Sequence, residues 1–398
     1  MKILLVSDVP PCNNFTGGIV LKHLSNFLLD EGHNLSYFII ANPSLSFDIP
    51  ENFVKKNNYH KVTLPNESWG NKKFGFIFSF VMNNYSSLFK IPTIARDCAK
   101  FIIDNKIDKI WFVVQGQTTI KLVRKVSKIT KLPFCVEIWD PPEWYLGDCK
   151  FDRITSCLVM NEFGKVLKEA NSCITTSEEM AKKYSKKYSA NCIAMMPGLD
   201  SIKIVKKKID NKKDFVIVIV GQTYAIDELK ALMEALSLKS WQFGGKRVVL
   251  RFYGRSFRDL NFDTLVNLEI RGWLPQKRLI EEISNSDLLY CPYFFAKNKS
   301  YISKLSFPSK LTTYLKTGIP VLFHGPKYSS PYKFLNKYKA SYFCNTMDIK
   351  LISNSIKKIV KDTTFNRRRI LLNAKMAFDE NLTFDVMKKK FFKALDLK

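Results

Sequence analysis

The chain lacks the features that several protein classes require. Its nine cysteines include no C-x-x-C pair, and its four histidines lie far apart, so no metal-site spacing is present. No segment reaches the roughly 18 uncharged apolar residues of a transmembrane helix. No helix-turn-helix, zinc-finger or RNA-binding motif is recognisable. These absences argue against a metal site, a membrane-spanning protein and a dedicated nucleic-acid-binding module.

The first residues are expected to form a strand and not an export signal. In MKILLVSDVPP an acidic residue and two prolines follow only a short apolar run, which is typical of a strand. Most cysteines lie in apolar runs, as Cys135 and Cys291 do, and we expect small buried side chains in a reducing compartment. A cytoplasmic location follows as the expectation. The segment that comes closest to a transmembrane helix, Phe74–Met82, is too short for one and predicts either a buried helix or an interfacial patch.

Acidic residues are scarce relative to basic ones. The chain carries 63 Lys and Arg against 36 Asp and Glu, a formal net charge of +27. Residues 1–200 contribute 25 basic and 19 acidic residues, so the later half holds 38 and 17, an excess of 21. Three interpretations are open: a polyanion, a phosphate-bearing ligand or anionic membrane surface, and ordinary solvated faces. The basic residues are scattered, which disfavours a nucleic-acid groove, and no nucleic-acid partner is expected.

The length of 398 residues and the pattern of apolar runs predict two α/β domains. Continuous apolar runs are typical of strands buried on both faces of a parallel sheet. The expected organisation is an N-terminal domain at 1–198, a charged linker at 199–213, a C-terminal domain at 214–380, and a final helix at 381–398 that packs back on the first domain or lies on the surface. Predicted strands are Lys2–Ser7, Leu35–Ile40, Lys109–Val114, Phe134–Ile138, Ser172–Thr175, Phe215–Val220, Arg247–Tyr253, Leu268–Arg271, Asp287–Cys291 and Val321–Phe323.

Two stretches of the first half are candidate ligand sites, because doubly wound sheets bind ligands at the carboxyl ends of their strands. Gly17 and Gly18 open a predicted helix and are an acceptor or phosphate loop, or a plain turn. Asp140 follows a strand between Trp139 and Trp144. Its carboxylate is a candidate base for an acceptor hydroxyl, and the indoles are candidate stacking surfaces; a turn or N-cap role is the alternative.

The second half carries glycines at several predicted strand ends. Gly221 and Gln222 follow one strand, and Arg255 is a candidate phosphate ligand after the next. A further loop, with a tight turn as its alternative, is a candidate nucleobase contact and comprises Gly272, Trp273 and Leu274.

The stretch SFPSKLTTYLKTG, residues 306–318, is the strongest candidate anion site. Ser309 is the predicted N-cap of a helix, and the first-turn N–H groups together with the Lys310 ammonium favour a pyrophosphate. A normally capped helix with a solvated lysine is the alternative. Leu311 and Thr313 complete the predicted donor-binding set.

The chain resembles GT-B fold glycosyltransferases, in particular glycosyltransferase family 4 of the bacterial surface-polysaccharide type. The resemblance rests on MKILLVSDVPP with TGG, on ITTSEEMAKKY, MPGLD and VIVIVGQ, and on IRGWLPQKRLIEEISNSDLLYCP and SFPSKLTTYLKTGIPVLFHGP. It implies two Rossmann-like domains facing a cleft, with the donor on the second domain and the acceptor on the first. It further implies retaining transfer from a UDP- or GDP-sugar without a metal or a separate cofactor.

Two positions depart from that family. Leu305 and Thr313 stand where its members usually carry glutamates near the donor. Expected partners are a nucleotide-sugar and a glycan or lipid-linked acceptor, with peripheral membrane association as a further expectation. A nucleotide-sugar epimerase, or a non-catalytic binder of the same fold, is the alternative function, and a basic nucleic-acid-binding protein is less favoured.

Overall fold

The computed structural model describes residues 1–54, 58–71, 75–201, 213–222, 224–254 and 267–397. The chain forms two compact units. The first comprises Met1–Met196 and Met387–Lys398, and the second comprises Pro197–Val386. The predicted linker lies mostly outside the described residues, as does Arg255. The predicted domain limits and domain roles remain predictions.

The first unit is built on a seven-stranded, wholly parallel sheet. Its spatial order is β3-β2-β1-β4-β5-β6-β7. The central strands β1 and β4 are almost entirely buried, which explains their continuous apolar sequences. The strands are β1 Lys2–Ser7, β2 Asn34–Ala41, β3 Tyr59–Thr63, β4 Lys109–Val113, β5 Phe134–Ile138, β6 Ser172–Thr175 and β7 Cys192–Ala194.

Helices connect these strands, as parallel pairing requires. They are α1 Thr16–Asp30, α2 Glu51–Val54, α3 Gly75–Tyr85, α4 Ile91–Asp104, α5 Gln117–Thr130, α6 Pro142–Asp148, α7 Arg153–Glu169 and α8 Glu178–Tyr188. A 3-10 turn covers Trp69–Asn71, and a π-helical segment, Ser86–Lys90, joins α3 to α4. The N–H of Ile91 donates to the carbonyl of Ser86 within that segment. Because Pro92 has no N–H, the regular pattern cannot continue there.

The second unit has the same architecture. Its sheet has the order β11-β10-β8-β12-β13-β14, all parallel, with the short β9 paired antiparallel to β10. Its strands are β8 Asp214–Val220, β9 Gln242–Phe243, β10 Lys246–Tyr253, β11 Leu268–Ile270, β12 Leu288–Pro292, β13 Val321–His324 and β14 Tyr342–Cys344.

The helices of this part of the chain are α9 Ile226–Ser237, α10 Gln276–Ile283, α11 Ser300–Leu305, α12 Ser309–Lys316, α13 Ser330–Tyr338, α14 Ile349–Val360, α15 Thr364–Asn381 and α16 Phe384–Ala394. A 3-10 turn precedes α11 at Lys297–Lys299. Most of α16 belongs to the first unit. There the ring of Phe391 lies 4.7 Å from that of Trp111, centroid to centroid.

Both sheets follow the strand order of a nucleotide-binding Rossmann fold, so the predicted α/β class with two doubly wound domains is confirmed. In the first unit the strand order reverses between β1 and β4, with β2 and β3 on one side and β5, β6 and β7 on the other. In the second unit it reverses between β8 and β12 in the same way. These two switch points are where such sheets open a crevice for ligands. We therefore expect the functional residues to lie at the carboxyl ends of these four strands.

The apolar run predicted as a buried helix or an interfacial patch is helical but not buried. Within α3, Phe76 and Ile77 are 63% and 61% exposed. The buried alternative is therefore wrong for the described part of the run, Gly75–Met82. None of the described helices is both long and apolar enough to cross a membrane.

The cysteines are mostly packed inside, and no described pair forms a disulfide. Cys157 is exposed and Cys192 partly buried, whereas the other seven are buried. Among the described residues, no three or more His, Cys, Asp or Glu side chains gather where they could hold a metal ion.

Candidate functional site

The switch point of the first unit is lined by carboxylates. Asp8 follows β1, and Gly116 lies three residues beyond β4. Burial raises the pKa of Asp8 to about 6, and the neighbouring Glu67 carboxyl adds to that rise. A carboxyl with this pKa exchanges protons near neutral pH, which suits acid–base work.

Glu67 occupies the N-terminus of α5 from within the protein. Its two carboxylate oxygens accept the backbone N–H groups of Gln117 at 3.1 Å and of Thr118 at 2.6 Å. A Cβ on Gly116 would lie 2.2 Å from a Glu67 oxygen, so only glycine permits this approach. Burial raises the pKa of Glu67. An internal carboxylate thus takes the place that a phosphate occupies in many nucleotide folds.

Neither Asp8 nor Glu67 was identified from sequence. Asp8 carried one usable signal, its position directly after the first strand. Glu67 lies in a connecting segment between β3 and α3, far along the chain from the helix that it caps. The contact between Glu67 and the start of α5 depends on tertiary structure, and no rule based on residue spacing predicts it.

A second buried carboxylate orders the loop after β5. Glu137 accepts the indole N–H of Trp111 at 2.9 Å and that of Trp139 at 2.8 Å. Burial raises its pKa to about 7, although both indole hydrogen bonds oppose the rise. The Trp139 ring is held in one orientation by this bond and by the Thr176 hydroxyl, which donates to the Trp139 carbonyl at 2.7 Å.

The structure brings the glycine loop and the tryptophan loop together. A Cβ placed on Gly17 would lie 2.5 Å from the ring of Trp139, so the indole lies directly on the first turn of α1. Gly18 has a packing role instead. Its Cβ would meet Cys12 Sγ at 2.2 Å, and its carbonyl accepts the Cys12 N–H at 3.1 Å.

Asp140 lies next to Trp139 in a bend and is partly exposed. The alternative in which it caps a helix is wrong, because the N-cap of α6 is Pro141. Trp144 lies in the first turn of α6, half-buried, and its indole nitrogen has no hydrogen-bond partner among the described residues. The catalytic role of Asp140 and the stacking role of the indoles stay predictions.

The switch point of the second unit is built from glycines and a lysine. Gly221 directly follows β8 with a φ of +84°, a conformation that favours glycine. A Cβ on Gly254, at the end of the adjacent β10, would lie 2.3 Å from the Gly221 carbonyl oxygen. The two strand ends therefore meet closely, and the main chain around Gly221 and Gln222 stays accessible.

Lys310 reaches this strand end from α12. Its ammonium donates to the carbonyl of Gln222 at 3.2 Å and lies 4.3 Å above the ring of Tyr224. Partial removal of water lowers the pKa of Lys310 to about 8. Two predicted donor-binding residues, Gln222 and Lys310, are thus in direct contact. The cation is held by one carbonyl and one ring, with no carboxylate neutralising it in the described contacts.

The start of α12 differs from the prediction in one respect. Ser309 was predicted as the N-cap, but the N-cap is Pro308 and no side chain caps the helix. The fixed φ of Pro308 sets the backbone conformation just before the helix, and Ser309 is the first helical residue. No acidic residue lies in the first turn.

The other residues of α12 that were predicted to bind the donor differ in how far their side chains are buried. Leu311 is fully buried, and its N–H donates to the Pro308 carbonyl at 2.9 Å, so its side chain belongs to the core. Thr313 is partly exposed. Leu305, at the end of α11, is 4% exposed. A donor contact through the Leu305 side chain is therefore not available from this packing.

The third predicted donor loop follows β11. Gly272 has a φ of +71°, and Trp273 is 53% exposed while Leu274 is partly exposed. In the sheet order, β11 is two strands away from β8. The loop is thus at the same sheet edge as Gly221 but is not one of the strand ends beside the switch point.

No protein-family model matches the chain, and no curated protein matches its sequence. Solved structures do match it. Sucrose-phosphate synthase from Thermosynechococcus elongatus has a TM-score of 0.69 at 11% identity, covering 99% of this chain and 98% of that one. A UDP-forming trehalose-phosphate synthase from Burkholderia xenovorans has a TM-score of 0.67 at 11% identity, with 99% and 98% covered.

A third similar structure is the Anabaena protein HepE in complex with UDP and glucose, with a TM-score of 0.64 at 12% identity and 99% of each chain covered. At such identities the likeness concerns the fold. The resemblance to glycosyltransferase family 4 remains a prediction. The chain has the GT-B fold, two Rossmann-like units in one polypeptide.

Proposed function

We propose that the protein is a retaining glycosyltransferase that binds a nucleotide-sugar donor on its second unit and an acceptor on its first. The observation that supports this most is the contrast between the two switch points. The first unit presents Asp8, Glu67 and the Trp139–Asp140 loop, whereas the second presents glycine main chain and the Lys310 ammonium.

Electrostatics support this proposed placement of the two ligands. A pyrophosphate is repelled by the carboxylates of the first unit, and Glu67 already satisfies the N-terminal N–H groups of α5. At the second unit, an uncapped helix start and the Lys310 ammonium, which pairs with no carboxylate among the described residues, favour an anion. Hydroxyl-bearing acceptors suit the first unit, because carboxylates accept hydroxyl protons and indoles pack on sugar faces.

In the proposed reaction, an acceptor hydroxyl oxygen forms a bond to the anomeric carbon of the donor on the same face from which the diphosphate departs, so that the configuration at that carbon is retained. The bond from that carbon to the β-phosphate oxygen breaks, and its electron pair leaves with the nucleoside diphosphate. Lys310 and the N-terminus of α12 stabilise the charge that grows on the leaving group. The hydroxyl proton passes to a carboxylate, for which we propose Asp140.

The substrate classes are part of the proposal. UDP is the first nucleotide to test, and GDP the second, since solved structures of this fold are named for UDP-forming synthesis and for bound UDP. Retention is supported by a neighbour studied for glycosyl transfer with retention. The proposed acceptor is a glycan or lipid-linked glycan of a surface polysaccharide or glycoconjugate pathway. Sugar phosphates belong in the same acceptor screen.

Calorimetric titration with UDP and GDP tests the donor site. We expect one nucleotide to bind, and Lys310→Ala to weaken it by about tenfold or more, since a charge-assisted contact contributes about 1.5–3 kcal/mol. Lys337→Ala is the matched control, because Lys337 also lies over a tyrosine ring, that of Tyr338, but is exposed on α13. Failure of both nucleotides to bind would overturn the proposal.

A non-catalytic nucleotide-sugar binder is the second candidate, and the burial of Leu305 favours it. The position where the resembled family usually has a glutamate near the sugar carries a buried leucine. Titration and turnover together separate the two functions. Nucleotide binding without release of nucleoside diphosphate, across the glycan and sugar-phosphate acceptors, would support the binder.

A further inference from the structure

The helix α3 has its polar side inward and its apolar side outward. Ser79, Asn83 and Ser86, which recur at helical spacing, are between 0% and 4% exposed. Apart from Lys90, the exposed side chains on α3 and the following π-helical segment are apolar: Phe76, Ile77, Phe78, Phe80, Val81, Tyr85, Leu88 and Phe89. An ordinary surface helix shows the opposite arrangement. We call these eight residues the apolar ridge.

Specific hydrogen bonds hold the helix in this orientation. The Ser79 hydroxyl accepts the Asp152 N–H at 2.9 Å and the Asn83 amide N–H at 3.2 Å, and it donates to the Asp152 carboxylate at 3.3 Å. The Gln117 amide donates to the Asn83 carbonyl at 2.9 Å. Rotating α3 to bury its apolar residues would break these buried polar contacts, so the outward-facing ridge is a fixed feature of the unit.

The ridge groups eight large apolar side chains that are all exposed. Its members are from 39% to 68% exposed, and α7, which contacts α3 through Asn84 and Thr155, adds exposed Ile154 and Leu158. Contiguous exposure on this scale marks an interaction surface. The ridge stands on a helix rather than lining a groove, which suits insertion into a soft apolar phase more than capture of a single peptide.

The sequence that carries the ridge is basic. From Ser68 to Arg96 the sequence contains Lys72, Lys73, Lys90 and Arg96 and no acidic residue. Lys90 is exposed at the end of the ridge, and Arg153 is exposed where α7 begins beside Ser79. The nearest acid on that turn, Asp152, is buried and engaged with Ser79 and Thr155.

We infer that the apolar ridge docks the protein on a membrane surface rich in anionic lipid. The three phenylalanines on α3, with Tyr85 and Leu88 beyond them, would enter the boundary between headgroups and acyl chains, where aromatic residues are favoured. The basic side chains at its margins would pair with lipid phosphates. This inference is independent of the proposed transfer reaction.

Sedimentation with lipid vesicles tests the inference on the full chain. We expect binding to phosphatidylcholine vesicles containing phosphatidylglycerol, and weaker binding to phosphatidylcholine alone. The double variant Phe76→Ser, Leu88→Ser should lower partitioning about tenfold or more. The matched control is Phe365→Ser, Leu372→Ser, because these residues on α15 are exposed to a similar degree, at 78% and 59%. The control should bind as the unmodified chain does.

Charge and self-association supply the remaining readouts. Lys90→Ala should weaken binding to the anionic vesicles about fivefold, in line with roughly 1 kcal/mol per basic residue at such a surface, and leave binding to neutral vesicles unchanged. Absence of vesicle binding, or equal losses in the α3 and α15 variants, would overturn the inference. So would light scattering that shows a dimer which the Phe76→Ser, Leu88→Ser variant converts to a monomer, since the ridge would then bind a second copy.

Discussion

At the residue scale, the chemistry of the two units depends on a few side chains whose ionisation is shifted by burial. In the first unit these are Asp8, Glu67 and Glu137, all with a raised pKa. In the second unit it is Lys310, with a lowered pKa. Perturbed groups at the carboxyl ends of parallel strands are a recurrent mark of functional sites.

Lys310 should make nucleotide binding pH-dependent. Its pKa is lowered to about 8, so the ammonium is present below pH 8 and is lost as the pH rises through that value. UDP or GDP affinity should therefore fall between about pH 8 and pH 9.5. Calorimetric titrations across this range measure the effect. Lys310→Arg, whose side chain stays charged, should flatten the profile; an unchanged alkaline loss in that variant would assign the titration to another group.

Asp140 should affect transfer rather than donor binding. If its carboxylate accepts the acceptor proton, Asp140→Asn lowers turnover about a hundredfold or more and leaves the nucleotide affinity unchanged. The control is Asp148→Asn, on the exposed end of the neighbouring α6. Turnover assays beside the titrations separate the two effects. Full activity of Asp140→Asn would leave Asp140 as a loop residue only.

At the scale of single elements, helix starts distinguish the two switch points. The first N–H groups of α5 are bonded to Glu67, whereas α12 begins after Pro308 without a side-chain cap. The start of α1 is covered by the Trp139 ring instead. Each helix start is thus given a different chemical character by the loop that lies against it.

Gly17 allows α1 and the Trp139 loop to touch. We expect Gly17→Ala to push the indole away, because the new Cβ would lie 2.5 Å from the ring, and to cost about 1–3 kcal/mol of unfolding free energy. Denaturant unfolding measures the loss. Gly147→Ala is the control, since its Cβ would meet no atom within 4 Å, and it should be neutral or slightly stabilising. Equal stability of both variants would show that Trp139 moves freely.

At the scale of the whole chain, the last residues complete the core of the first unit. Phe391 is fully buried against Trp111, and the Ser172 hydroxyl donates to the Ala394 carbonyl at 2.5 Å. The same Trp111 donates its indole N–H to Glu137, so the C-terminal residues support the carboxylate that orders the Trp139 loop.

Truncating Phe391 should therefore destabilise the first unit. Phe391→Ala is expected to cost about 3–5 kcal/mol, the usual loss for a buried phenylalanine, while Phe365→Ala, 78% exposed, should change stability little. Calorimetric scanning measures both variants. UDP or GDP added to Phe391→Ala should still raise the melting temperature of the second unit, because the proposed donor site contains no residue of α16. Matching stabilities for the two variants would contradict this view of α16.

Much of the architecture followed from local pattern. Continuous apolar runs bounded by glycine or proline predicted most of the central strands, since a strand buried on both faces needs apolar residues at every position. Gly32 lies just after α1 with a φ of +76°, and a glycine in that place is a sequence signal for the end of a helix. Lys310 and Gln222 were also visible, because each lies directly beside a predicted helix start or strand end.

Local sequence patterns did not predict contacts between residues that lie far apart in the chain. Glu67 caps a helix some fifty residues away, Asp8 gains its shifted pKa from burial beside that carboxyl, and Pro308 displaces Ser309 as the cap. The face of α3 that packs against the rest of the unit could not be predicted either, since FGFIFSFVM fits a buried helix by composition. The buried hydrogen bonds of Ser79 and Asn83 hold its apolar side outward. Apolar periodicity follows from the chain itself, whereas the partner of each buried polar group is decided by tertiary packing.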